Sequence, residues 1–235
     1  MHSFFAKSLI NNIVTFSKED EKHILKVLRL KINAQINVNF NQEKYLAIIN
    51  NIQPLTAMII KSLSFENKKY QINAFVSSIK PKYMELAIQK ATEIGADHFY
   101  IFKSFFSQNN IKHNLNRYNT IILNACKQSH RTTLMKLEII DNESDLQKLL
   151  NDNDINLVAH LEKNEEKIEL KKILDGKQKI GILIGPEGGF NKNDLNVIKT
   201  NNTYIINLTN NILRSETALI YLLSIIAQTM KELNS

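Results

Sequence analysis

From residue 72 to residue 226 short apolar runs alternate with segments of helical period, and this alternation limits the possible folds more than anything else in the chain. INAFVSSI (72–79), HFYIF (98–102), KLEII (136–140), INLVAHL (155–161), KIGILIG (179–185) and TYIINL (203–208) are strand-length. Between them lie helical stretches such as YMELAIQKATEIG (83–95), with Met84, Ala87, Ile88, Ala91 and Ile94 on one face and Gly95 as its stop, and YNTIILNACKQSHR (118–131). A parallel strand pair needs a crossover of a dozen or more residues, usually a helix, so the pattern predicts an α/β domain with a parallel sheet. In open parallel sheets ligands bind beyond the carboxyl ends of the strands. The loops after INLVAHL, KIGILIG and TYIINL are therefore where chemistry is expected.

The first seventy residues read differently. Ser17 is placed to cap KEDEKHILKVLRL, Asp20 three residues on completes a capping-box pattern, and Ile24, Val27 and Leu28 make the apolar stripe. QINVNF, YLAIINNI and LTAMIIKSL follow as strands. The expectation is a small β-rich domain, a barrel or half-barrel, ending in the polar ENKK at 66–69. The charge-dense EKNEEKIELKK (162–172) reads as a solvated helix face.

Two loops stand out. Only six glycines occur in 235 residues, yet Gly181, Gly185, Gly188 and Gly189, with Pro186 among them, fall together. PEGGF must turn sharply between a buried strand and a helix, NKNDLNVI, capped by Asn191; Gly188 and Gly189 permit φ > 0 and Pro186 stiffens the bend. The loop has neither the G-x-x-x-x-G-K-[ST] spacing of a phosphate loop nor G-x-G-x-x-G, so ATP hydrolysis and nicotinamide chemistry are not indicated. The second loop, ILRSETA (212–218), carries Arg214 and opens a helix with Ser215 as cap and Glu216 in its first turn. That helix is apolar nearly all round through Leu219, Ile220, Leu222, Leu223, Ile225 and Ile226, which predicts burial, between subunits.

Thirty Lys and Arg against 23 Asp and Glu give a net charge of +7, which favours a polyanionic partner such as nucleic acid. The one cysteine, Cys126, excludes an intrachain disulfide, and the six histidines show no metal-ligand spacing, so no metal is expected. The longest apolar run, ALIYLLSIIA (218–227), is too short to span a membrane, and MHSFFAKSLI lacks a signal-peptide cleavage site; the expected location is the cytoplasm. Arginine is scarce at Arg29, Arg117, Arg131 and Arg214, marking places where a planar fork is needed in preference to lysine.

IGPEGGF followed by ILRSETA resembles the SPOUT superfamily of RNA methyltransferases, and more narrowly the bacterial family that methylates N3 of a uridine in 16S ribosomal RNA. HILKVLRL (23–30), KATEIGAD (90–97) and ACKQSHR (125–131) extend the resemblance over most of the chain. The resemblance implies a PUA-like β-barrel RNA-binding domain at 1–69 and a SPOUT methyltransferase domain at 70–235 whose carboxyl-terminal end forms a trefoil knot. It also implies a homodimer, 16S ribosomal RNA or the small ribosomal subunit as partner, and S-adenosyl-L-methionine as cofactor. Matched residue by residue, the cofactor site is His160, Leu161, Ile184, Gly185, Pro186, Glu187, Gly188, Gly189, Leu208, Thr209, Asn210, Ile212 and Leu213. The chain departs from the family at Thr209, where a glycine is usual; if φ > 0 were required there, Thr209 would be strained.

Methylation of uridine N3 requires loss of a weakly acidic proton and stabilisation of charge on O2 and O4. Arg214 is the first candidate to stabilise that charge. Arg131 could reach an RNA phosphate or the target base, Glu187 and Glu216 are candidate proton acceptors, and His130 is a further candidate because histidine is the residue type suited to proton transfer near neutral pH. Lys22, Lys26 and Arg29, at helical spacing, together with Arg131, are candidate RNA contacts. Two alternatives remain open: a ribose 2′-O methyltransferase of the same superfamily, and a non-catalytic RNA-binding or ribosome-assembly factor.

Overall fold

The computed structural model describes residues 1–64, 68–107, 111–161 and 169–234. It divides into two compact units, Met1–Asn67 with Leu123–Leu134, and Lys68–Ile122 with Met135–Ser235.

The first unit contains β1 (Ser3–Phe5), β2 (Ser8–Ile10), β3 (Ile13–Thr15), α1 (Lys18–Lys22), β4 (Gln35–Phe40), β5 (Glu43–Ile52) and β6 (Leu55–Leu63). They form one six-stranded sheet in the order β1-β4-β5-β6-β3-β2, curled into a half-barrel. All its pairings are antiparallel except β1 with β4. Alternate residues of each strand point inward, so Ile36 and Val38 of β4 join Ala47, Ile49, Leu55 and Ala57 in the core.

Two details of the first helix correct the sequence reading. Ser17 does cap it, its hydroxyl accepting from Asp20 N at 3.1 Å, but Asp20 does not close the box. Asp20 is 5% exposed, and its carboxylate pairs with Lys127 Nζ. Beyond Lys22 the chain winds as a π-helical turn, His23–Val27, with Leu28 N donating to His23 O. The wider turn shifts the phase of the stripe. Ile24 is buried and Leu25 and Leu28 pack beside it, whereas Val27 is 65% exposed.

The second unit runs β7 (Gln71–Ser77), α2 (Pro81–Ile94), β8 (His98–Phe102), α3 (Leu115–Ser129), β9 (Lys136–Ile140), α4 (Glu143–Asn151), β10 (Ile155–Ala159), α5 (Leu170–Leu174), β11 (Lys179–Ile184), α6 (Lys192–Ile198), β12 (Thr203–Ile206) and α7 (Ser215–Leu233). The residues of α3 from Leu123 onward belong to the first unit. Every pairing in its sheet is parallel, in the order β12-β10-β11-β7-β8-β9. Pro81 starts α2 and Gly95 ends it at φ +117, as a left-handed cap. Phe75, Tyr100, Phe102, Val158, Leu183 and Phe190 form a core between the sheet and α4 and α6.

Helix α7 is less uniformly buried than its composition predicts. Leu219, Leu222, Leu223 and Ile226 are fully buried on the side facing α2 and β11, while Thr217, Tyr221, Ser224 and Gln228 are exposed. Its cap is Arg214 and not Ser215, because Arg214 O accepts the first helical bond from Ala218 N at 2.8 Å. The expected solvated helix at 162–172 and the ENKK boundary at 66–69 fall partly outside the described residues. Of the former, Glu169 and Lys172 form an exposed ion pair of 2.7 Å.

Candidate active site

Strands β12, β10 and β11 are neighbours that end level with one another: Ala159 of β10 is in register with Ile184 of β11 and with Ile206 of β12. The chain leaves all three at one edge, and His160 N donates to Ile206 O at 3.1 Å, extending that edge by one bond. The three departing loops and the first turn of α7 enclose a cavity of about 270 Å³.

Twelve of the thirteen residues matched to a cofactor site line it; the exception is Asn210. Ala159, Asn207, Asn211, Ser215 and Ala218 also contribute. Asn211 lies within the matched span 208–213, whereas Ala159, Asn207, Ser215 and Ala218 lie outside the matched residues, although strand period alone puts Ala159 at a strand end.

The glycine loop is a turn closed by Gly189 N donating to Pro186 O at 2.9 Å. Only Gly189 uses the left-handed region, at φ +72. Gly188 is needed for a different reason: a Cβ there would lie 2.9 Å from Cβ and Cγ of Phe106. Asn191 then starts α6 with a full capping box, its side chain accepting from Asp194 N while Asp194 accepts from Asn191 N.

Thr209 is not strained. Its φ lies outside the left-handed region, and its hydroxyl donates to Asn211 O at 2.8 Å and accepts from Asn211 N at 3.2 Å. The side chain replaces a glycine's freedom with a local hydrogen-bonded turn.

The candidate catalytic residues are placed unequally. Glu187 is exposed and lines the cavity. Arg214 lies between the lining residues Leu213 and Ser215, yet its guanidinium covers the ring of Tyr83 at 5.6 Å and Nη1 donates to the Tyr83 hydroxyl at 3.3 Å. Among the described residues it pairs with neither Glu187 nor Glu216. Glu216 is 7% exposed in the first turn of α7, where unpaired helix N–H groups favour a carboxylate, and is not a lining residue.

Arg131 belongs to the first unit, where Asn39 Nδ2 donates to its carbonyl at 2.8 Å. Lys22, Lys26 and Arg29 are exposed in that unit, but Arg29, at φ +53, lies beyond the helical turns and does not continue their spacing.

A polar cluster unanticipated from sequence occupies the same sheet edge in the second unit. Ser77 and Ser104 share a hydroxyl bond, and Ser78 Oγ meets His113 Nε2 at 2.9 Å while His113 Nδ1 meets the Tyr118 hydroxyl at 3.0 Å. Burial, then the charge of Lys103, holds His113 below the ordinary imidazole range.

The lining has a clear electrostatic character. Among the described residues it contains one carboxylate, Glu187, one imidazole, His160, no lysine or arginine, and apolar walls from Leu161, Ile184, Leu208, Ile212 and Leu213. Among the described residues no group of acidic, histidine or cysteine side chains is arranged to hold a metal.

Residues 66–227 match the model of the RNA methyltransferase domain. The chain is 29% identical over 232 residues to the ribosomal RNA small subunit methyltransferase E of Mesomycoplasma hyopneumoniae, covering 95% of this chain and 98% of that one. Against the protein of the same name from Rickettsia conorii it is 30% identical over 218 residues, covering 89% and 87%. Among solved structures, ribosomal RNA small subunit methyltransferase E from Neisseria gonorrhoeae, bound to S-adenosyl methionine, superposes with a TM-score of 0.83 at 22% identity, covering 97% of both chains. A Legionella pneumophila putative methyltransferase with bound SAM gives 0.81 at 20% identity, again over 97% of both.

Proposed function

Because the chain belongs to the RNA methyltransferase family, we propose that it is an S-adenosylmethionine-dependent methyltransferase of 16S ribosomal RNA, acting on N3 of a uridine. The observation that carries the reading is the lining of the cavity. A nucleotide cofactor bears phosphates and would require cations or a phosphate loop, whereas among the described residues this cavity presents one carboxylate, one histidine, no lysine or arginine, and several apolar walls. That donor set fits a neutral adenosine joined to a cationic sulfonium. Leu161, Ile184, Leu208 and Leu213 would hold the adenine and the methionine chain, backbone groups of the glycine turn would read polar edges, and Glu187 would face positive charge. When bound, the cofactor supplies an electrophilic methyl group.

What the chain itself must do is align the base nitrogen, exclude water and handle one proton. Arg214, released from Tyr83 or reaching past it, is the group to stabilise charge on the uracil oxygens. Glu187 is the better placed of the two candidate proton acceptors, because Glu216 is buried away from the lining.

In the same reading residues 1–69 form a PUA-like β-barrel that binds RNA, with Lys22, Lys26, Arg29 and Arg131 on phosphates; the curled half-barrel sheet supports this. Residues 70–235 form the SPOUT domain, knotted at its carboxyl-terminal end, and two copies pair in the cytoplasm. Among the described residues no helix is long and apolar enough to cross a membrane.

Incubation with small subunits from a strain lacking this protein, and mapping of the modified nucleotide by mass spectrometry, tests the proposal. A methyl group on ribose would replace it with the 2′-O reading. No calorimetric binding of S-adenosylmethionine at millimolar concentration would remove the enzyme reading altogether.

A further inference from the structure

Phe105 and Phe106 sit where a water-facing surface least favours aromatic rings. They are 70% and 48% exposed, and their rings meet edge to face, 5.0 Å between centroids at 89°. The turn that carries them after β8 is well anchored: Phe105 N donates to Asp194 Oδ1 at 2.9 Å and Ser104 N to Ser107 Oγ at 3.0 Å. Phe106 lies directly against Gly188 of the cavity lining, so closely that no side chain fits between them. Exposed Lys103 directly precedes the turn.

We propose that Phe105 and Phe106 are the stacking platform on which an unpaired nucleobase of the RNA rests at the mouth of the cavity. The inference builds on the methyltransferase reading and adds positioning residues to it. A base inside a helix cannot reach a buried methyl donor, so it must leave its stack, and a flat aromatic surface restores the stacking it loses. An edge-to-face pair offers one ring face for that contact and a second ring to limit sliding. The neighbouring Lys103 and the net charge of +7 favour the attached phosphates, which distinguishes a nucleic acid from an apolar peptide as occupant. The placement against Gly188 sets the platform beside the cofactor loop and not at a remote surface.

The protein contains no tryptophan, so Phe105→Trp and Phe106→Trp each create a single tryptophan, which is excited selectively over the seven tyrosines. Titration with a uridine-containing single-stranded oligoribonucleotide, without cofactor, is expected to quench at least one of them saturably. An abasic strand of equal charge should quench far less. The double variant Phe105→Ala/Phe106→Ala should raise KM for RNA about ten-fold; Phe105→Ala alone, which leaves the Phe106 ring against Gly188, should raise KM while leaving S-adenosylmethionine affinity unchanged, and Phe105→Tyr should restore KM.

Equal quenching by base-bearing and abasic strands would overturn the proposal, as would an unchanged KM. Conversion of an oligomer to monomer by the double variant would identify the pair as a subunit contact instead. A wild-type protein that neither binds the cofactor nor methylates RNA, while the tryptophans still report bases, would refute the enzyme reading and leave the platform standing. Normal methylation with silent tryptophans would do the reverse.

Discussion

At single positions, backbone conformation and side-chain direction divide the labour around the cavity. Gly189 holds φ +72, a region costing an L-residue roughly 1–2 kcal/mol. Gly189→Ala should therefore lower the melting temperature by a few degrees and weaken cofactor binding, read by differential scanning and titration calorimetry. Thr209→Gly should remove the hydroxyl tie to Asn211 and loosen that loop, lowering cofactor affinity with little change in melting temperature. Arg214→Ala is expected to preserve cofactor affinity and lose most turnover; equal losses in both would reassign the guanidinium to holding the cofactor loop. The glycine turn of the lining was legible because glycine is rare in this chain and clusters where backbone must bend, whereas Ala159, Asn207, Ser215 and Ala218 carry no such signal. Tyr83, beneath Arg214, was not legible. Its partner is 131 positions away, and no local pattern in the sequence encodes that contact.

Among the elements, periodicity served well where hydrogen bonding was regular and failed where it was not. The strands of the parallel sheet are continuous apolar runs, as expected of strands covered on both faces, and so declared themselves. The π-helical turn at His23–Val27 did not, because one i→i+5 turn changes the phase of a stripe without changing residue composition. The same phase error put Val27 in the predicted core. Helix α7 shows how composition can overstate burial: its apolar residues outnumber the positions its neighbours can cover. Leu223→Ala, at a fully buried position on the side facing α2 and β11, should cost about 2–5 kcal/mol in denaturant unfolding. Tyr221→Ala, on the open side, should be nearly silent in the monomer, and any effect it has on assembly will be seen in sedimentation.

Over the whole molecule, proton linkage gives a signature that involves neither catalysis nor RNA. His98 and His113 are held below 6.5, each first by burial, then by Lys136 and Lys103 respectively. The folded state thus binds fewer protons than the unfolded one, so their contribution is complete above about pH 6.5 and declines as pH falls from there through the lowered values. Asp154 is held below 3.8, first by the Lys179 backbone N–H, and its contribution is lost only at still lower pH. Melting temperature should accordingly fall as pH drops below about 6.5, and His98→Asn/His113→Asn should lessen the part of that fall that begins there. None of this was legible in the sequence, because burial of a histidine depends on which strands and loops become neighbours. The clustering of residues 123–134 with the first unit was equally hidden, since the helical period runs on unbroken through that point.

The level ending of β12, β10 and β11 has a thermodynamic corollary. Three stretches of chain that follow strand ends at Ala159, Ile184 and Ile206 meet around one hollow only while all three strands keep their alignment, so occupancy and sheet integrity are a single equilibrium. A guest at a hundred times its dissociation constant would add about 2.7 kcal/mol to the unfolding free energy of that unit. The methyl donor would then act as a clasp on the architecture as well as a reagent.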